Sequence, residues 1–120
     1  MTDTPRAMVL SEPLSLWGGM DPATGELIDV HHPQRGAKLA GRVVVMPSGR
    51  GSSSSASVLA EAVRAGVAPA AILLGEPDLI LTIGSAVAEE LYGIRVPVVV
   101  LLPNDLAAIV DGDPFDLRTA

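Results

Sequence analysis

No cysteine occurs among the 120 residues. The chain forms no disulfide and offers no thiolate to an iron–sulfur cluster, so any such cluster has to be held by another polypeptide. Aromatic residues are almost as scarce, with Trp17, Tyr92 and Phe115 the three present. Aliphatic side chains must then fill the core, which suits the thin layers of an α/β fold better than an aromatic-rich sandwich. Positive charge is short as well: eight Lys and Arg face fourteen Asp and Glu, for a formal charge of −6. Phosphate backbones and acidic leaflets repel such a surface, which argues against nucleic-acid and anionic-membrane partners. No apolar run reaches the roughly 18 residues of a membrane span, and MTDTPR at the N-terminus carries neither the basic nor the apolar region of a signal peptide. The expected location is the cytoplasm.

What is present fits one domain over residues 1–120 with a core at about 7–110, a size at which roughly two-thirds of the unfolded surface is buried on folding. Residues 7–10 read as a short strand. The following EPLSLWGGMDPATGEL carries the turn signals Gly18-Gly19, Asp21-Pro22 and Thr24-Gly25 and predicts a folded loop. Residues 26–30 read as a second strand, HHPQRG as a loop and 39–46 as a central strand. A helix over 54–65 places Val58, Leu59, Ala62 and Val63 on one face, with Glu61 and Arg64 toward water. Strands are expected at 70–74, at 79–83 after Pro77 and at 97–103, with a helix over 85–92 stopped by Gly93, a helical turn at 106–110 and a polar tail, DGDPFDLRTA. This order favours parallel pairing with helices outside. There is no internal repeat and no interdomain linker.

The stretch PSGRGSSSSAS (47–57) has the composition of a flexible linker, yet it stands between a strand and a helix. A strand that enters a glycine-containing turn and then a helix aims the first helical N–H groups at the turn, which is where anions bind. Gly49 and Gly51 permit close approach of the main chain, Arg50 adds a permanent charge, and Ser52 to Ser55 add hydroxyls and a helix cap. The same serines also suit plain capping with Arg50 solvated. The lysine-containing phosphate loop is absent, since the single lysine is Lys38, and so is the hydrolase elbow G-x-S-x-G. His31 and His32, adjacent in a polar loop, read as surface residues. Asp111, Asp113 and Asp116 imitate the start of a calcium loop but lack the glutamate at its twelfth position, and read as a solvated tail.

Four segments in order, LWGGMDPATGELID (16–29), HHPQRGAKLAGRVVVMPSGRGSSSS (31–55), EAVRAGVAPAAILL (61–74) and AEELYGIRVPVVVL (88–101), resemble the small, swivelling-domain subunit of the aconitase X family. The likeness runs from about Val9 to Leu102. It implies an α/β fold of the swivelling β/β/α type, a mostly parallel sheet or barrel-like core flanked by helices, packed on a separate larger catalytic subunit. The active site would lie between the two, with an iron–sulfur cluster on the larger partner and no metal or cofactor on this chain. The resemblance further implies dehydration of a small hydroxy acid: either cis-3-hydroxy-L-proline, to Δ1-pyrroline-2-carboxylate, or mevalonate 5-phosphate. Its catalytic serine follows a basic residue and a glycine, which places it on Ser52 of Arg50-Gly51-Ser52, with Gly49, Arg50, Gly51, Ser53 and Ser54 as contacts to the substrate or its anionic group. Such an enzyme removes a proton beside a carboxylate, and a serine base needs positive charge and N–H donors, here Arg50 and the amides at 53–55. The serine run and the single lysine favour the hydroxyproline substrate. A non-catalytic anion-binding or regulatory swivelling domain is the alternative of another class.

Overall fold

The computed structural model describes residues 4–50 and 52–117. In chain order the elements are β1 (Ala7–Val9), α1 (Leu16–Gly19), β2 (Val43–Met46), α2 (Ser55–Arg64), β3 (Ala71–Leu74), α3 (Leu79–Tyr92), β4 (Val98–Val100) and α4 (Pro103–Ala107). The four strands form one wholly parallel sheet in the order β1-β2-β3-β4. The α/β architecture with helices flanking a parallel sheet is the one expected.

Register and the two-residue alternation of strands sort the side chains into two cores. Met8, Val44, Ile72 and Val98 align as one row across the sheet. Their face packs against Leu59 and Val63 of α2, Leu81 and Ala88 of α3, and Leu14, Met20, Leu27 and Leu39 of the long β1–β2 connection. Val43, Val45, Ala71 and Leu73 look the other way, toward Leu106, Ile109, Phe115 and Leu117. Because both faces are covered, VVVM and AILL are uninterrupted apolar runs rather than alternating ones. Helices α2 and α3 cross closely: a Cβ on Gly84 would lie 2.9 Å from Ala56 Cα.

Several expected elements are corrected. Residues 79–83 are the opening of α3, not a strand, because Asp78 caps the helix, its side chain accepting the Leu81 N–H, and Leu81, Gly84 and Ala88 are buried at helical spacing. The apolar, partly β-branched LILTI imitates a strand, and the helix expected at 85–92 is the second half of the same element. Residues 26–30 make only isolated bridges, Met20 with Leu27 and Glu26 with Lys38. That segment is a folded loop held by main-chain bonds, among them Leu39 N to Gly25 O at 2.7 Å and Ile28 N to Gly19 O at 2.8 Å. The central strand starts at Val43 rather than at 39, after Gly41 turns the chain at φ 71°. The expected strand at 97–103 is paired over Val98–Val100, and α4 begins at Pro103, ahead of the helical turn expected at 106–110.

His32 is 6% exposed and so is not a surface residue. Its Nδ1 accepts the Gln34 N–H at 3.0 Å and its Nε2 meets the Glu12 carbonyl at 3.1 Å, which pins the β1–β2 connection to itself. His31 is exposed. Residues 111–117 are likewise no solvated tail, while 118–120 lie outside the described residues. Asp111 Oδ1 accepts the Val9 N–H at 2.8 Å, Asp113 O accepts the Ala7 N–H at 2.8 Å, and Gly112 N donates to Ala7 O at 2.8 Å. These bonds satisfy the outer edge of β1, and Phe115 and Leu117 cover the sheet beneath it. Asp111→Ala should therefore lower unfolding free energy by about 1 kcal/mol and speed hydrogen exchange at the Val9 amide, read by denaturant titration and NMR.

Candidate functional site

The four strands run parallel, so the segments that follow them all leave from one edge of the sheet, the edge where open α/β sheets place their sites. After Met46 the chain passes through Pro47 to Ser54 and enters α2 at Ser55. Two contacts fix the start of this loop. Pro47 O accepts the Gly75 N–H at 2.9 Å, and Gly49 bridges to Leu14, with Arg50 N donating to Leu14 O at 3.3 Å.

The serines then divide their tasks. Ser52 is half-buried, and its Oγ accepts the Ser54 N–H at 3.3 Å while its carbonyl accepts the Ser55 N–H at 2.9 Å. Ser53 and Ser54 are exposed. Ser54 occupies the cap position of α2 but makes no side-chain cap bond. Ser55 is 3% exposed. Its Oγ accepts the Trp17 N–H at 3.2 Å and lies 3.4 Å from Ser15 Oγ, which ties the LWGG segment to the base of α2. One amide, that of Ser54, reaches the Ser52 hydroxyl, where three had been expected to surround it.

Gly49, Arg50, Ser52 and Ser55 line a tight cleft together with Asp78, backed by Leu14, Leu16 and Leu81. Arg50 is exposed. Of the residues expected at the site, Gly49, Arg50 and Ser52 meet in this cleft, Ser53 and Ser54 are not among its lining, and Gly51 lies outside the described residues. Asp78 was missed. Its Oδ1 accepts the Leu81 N–H at 3.0 Å and its Oδ2 presses on Gly49 so closely that a Cβ there would collide with it. The close approach allowed by Gly49 is thus toward this carboxylate. The signal that could have found Asp78 is the Pro77-Asp78 pair ahead of an apolar run, which marks a capped helix start.

The cleft brings together a hydroxyl oxygen that accepts an amide and a carboxylate, with the exposed Arg50 among its lining residues, and it leaves no room for a water-sized molecule. It offers no metal site: the chain lacks cysteine, and among the described residues no three His, Asp or Glu side chains converge. Away from the cleft, on the outer face of α2, hydrogen bonds from Arg64 hold the Glu61 carboxyl below its usual range. Among the described residues no helix is long and apolar enough to cross a membrane.

Comparison with known proteins places this geometry in context. Residues 3–120 match the family model of the aconitase X swivel domain. The chain is 54% identical over 88 residues to the cis-3-hydroxy-L-proline dehydratase of Pseudomonas aeruginosa, covering 73% of this chain and 15% of that protein. It is 33% identical over 120 residues to the phosphomevalonate dehydratase small subunit of Methanothermobacter thermautotrophicus, covering 92% of this chain and 86% of that one. The corresponding subunit of Methanopyrus kandleri is 45% identical over 82 residues, 68% of this chain and 61% of the relative. The crystal structure of holo-form aconitase X from Thermococcus kodakaraensis superposes with a TM-score of 0.78 at 30% identity, over 90% of this chain and 76% of that one. The chain thus spans 15% and 16% of the hydroxyproline dehydratases it matches.

The contact of Gly49 with Asp78 can be measured. Gly49→Ala must push the carboxylate off its cap and should cost about 1–2 kcal/mol, while Asp78→Ala should cost about 1 kcal/mol as a lost cap. The double variant should lose less than the sum of the two, with a coupling of about 0.5–1 kcal/mol in urea unfolding.

Proposed function

This chain belongs to the aconitase X swivel-domain family, and from that premise we propose that it is the smaller part of a dehydratase whose substrate site closes between the serine loop and a larger subunit. The relatives support a dehydratase role, being hydroxyproline dehydratases and phosphomevalonate dehydratase small subunits. The small-subunit names, together with the small share of the hydroxyproline dehydratases that the matched segment makes up, 15% and 16%, support a larger partner. An iron–sulfur cluster would have its ligands on that partner, since this chain has no cysteine. The substrate assigned is cis-3-hydroxy-L-proline rather than mevalonate 5-phosphate. The higher identity to a hydroxyproline dehydratase, 54% against 45% and 33% for the two small subunits, favours it. So does the engagement of Lys38, the single lysine, with Glu26 at 3.6 Å.

In this reading Ser52 takes the proton beside the substrate carboxylate. The observation that carries it is the position of Ser52 Oγ: half-buried in a cleft with Arg50, accepting a main-chain N–H, at the edge of the sheet where the strands end. Arg50 presents a planar pair of donors to a carboxylate, and the Ser54 N–H offsets charge on Oγ. Magnitudes bound what these groups do. A serine hydroxyl, like water, is far too weak an acid to ionise near neutrality. One well-placed N–H donor is worth about 3 kcal/mol, too little to change that. Ser52 therefore acts as a base only as its own proton leaves, not as a preformed alkoxide.

Ser52→Ala should reduce dehydration of cis-3-hydroxy-L-proline by at least about a hundredfold in the complex with the larger subunit while leaving assembly intact by gel filtration. Ser57→Ala, an exposed residue on the first turn of α2, should retain activity. Full turnover with Ser52→Ala rejects Ser52 as the base, and turnover of mevalonate 5-phosphate in preference to the imino acid rejects the substrate.

A further inference from the structure

Helix α3 is apolar on more sides than the described residues cover. Leu81, Gly84 and Ala88 face the sheet and α2 and are buried. A second row, Leu79, Ile83, Val87 and Leu91, recurs every four residues along one side of the helix, yet these residues are between 42% and 72% exposed. At 1.5 Å per residue the row is about 18 Å long. It cannot turn inward. Gly84, without a side chain, lies against the Ala56 main chain, and the Ser85 hydroxyl donates to the Val96 carbonyl, so the rotation of α3 about its axis is fixed on two sides. In the same layer α2 turns Ser57, Glu61 and Arg64 outward, as a helix facing water does. Between the two helices runs a groove of about 270 Å³, walled by Ala56 and Ala60 on one side and by Val87 and Tyr92 on the other.

We propose that this row is the surface on which the larger subunit docks. The proposal rests on the reading that such a subunit closes over the serine loop. Three observations favour that occupant. The first is that the row begins at the cleft: Leu16 and Ile80 line it with Ser52, and their chain neighbours Trp17 and Leu79 are 59% and 72% exposed. A body that covers Ser52 therefore meets Leu79 first and, further along α3, Ile83 and Val87. The second is size. The matched segment makes up 15% and 16% of the hydroxyproline dehydratases, so most of each of those proteins lies outside it and is available to cover such a face. The third is charge, which selects against a second copy. Glu90 borders the row three residues after Val87, Glu76 stands ahead of its open end, and among the described residues neither pairs with a cation. Two copies joined symmetrically through α3 would set these carboxylates near their own counterparts, on chains that each carry −6. The partner that fits is an apolar surface rimmed by Lys or Arg, with side chains that fill the groove beside Val87.

Glutamate in the middle of the row keeps helix propensity and removes the apolar contact. In titrations of this chain with the larger subunit, Ile83→Glu and Val87→Glu should each raise Kd at least about tenfold, and the double variant should no longer co-elute with that subunit in gel filtration. Val110→Glu, at a comparably exposed aliphatic position beyond α4, should bind as the parent does. At subunit concentrations above the raised Kd, each single variant should recover kcat to within about threefold of the parent, because the row touches no substrate. Circular dichroism and melting temperature should match the parent, since both side chains lie at the surface. If a glutamate variant fails to fold, Ile83→Gln with Val87→Thr takes its place. Parent affinity in the folded variants overturns the proposal and leaves the closure reading standing. A dimer of this chain alone that the same substitutions dissolve assigns the row to a second copy and overturns it too. Absence of any complex between the parent chain and the larger subunit removes the reading itself, and the proposal with it.

Discussion

Strands β2 and β3 stay side by side for one residue beyond their last paired positions, and the site depends on that extension. The Gly75 N–H donates to Pro47 O at 2.9 Å, and a Cβ on Gly75 would sit 2.9 Å from the same oxygen. Any other residue there would force the two strand ends apart. With them together, the serine loop and the Glu76-Pro77-Asp78 turn leave the sheet from adjacent points. The first leads into α2 and the second into α3, and the two helices cross on Ala56 and Gly84. Glycine is thus used three times, at 49, 75 and 84, to bring two strand–turn–helix units within contact distance of each other.

Within that frame the serine run is a set of distinct parts. Ser55 is consumed by structure, since its buried hydroxyl would be costly without the Trp17 amide and Ser15. Ser52 binds one amide and keeps its proton available. Ser53 and Ser54 shape the turn through their main chain, as acceptors of the Ala56 and Val58 N–H groups at 3.4 and 3.2 Å. A linker of the same composition would leave these groups to water and would hold no oxygen in a fixed place. The rigidity comes from the neighbours on both sides, Leu14 before α1 and Asp78 before α3.

Short strands are tolerable here because their edges and faces are covered. Strand β1 has three residues, too few to be stable by pairing with β2 alone. The C-terminal segment supplies the missing partners along its outer edge, and Gln34 reaches back to Val9 O at 3.0 Å while accepting the Ser11 N–H at 2.8 Å. Two segments far apart in the chain therefore hold one strand, and with it the first wall of the sheet. The opposite edge strand, β4, has no such cover among the described residues, and Val100 is 47% exposed.

Much of this could be read from residue order. The β-branched run of β2, the amphipathic face of α2 and the aliphatic composition lead to a parallel sheet flanked by helices, and the Gly-Arg-Gly-Ser stretch singles out the loop. What could not be read was decided by contacts distant in sequence. Asp111 and Asp113 look solvated until the β1 edge is seen to need acceptors and donors, and His32 looks exposed until the Glu12 carbonyl and the Gln34 amide are placed around it. Leu79–Ile83 is the instructive failure. Local β propensity and the helix-start signal of Pro77-Asp78 disagree there, and the cap prevails because it satisfies an N–H that a strand without a neighbour would leave unpaired. The same misreading hid Asp78 from the site. Had residues 79–83 formed a strand, position 78 would have pointed along the sheet edge. As a cap it is turned back over the helix N-terminus, and that reversal sets its carboxylate against Gly49, in the cleft that Ser52 shares.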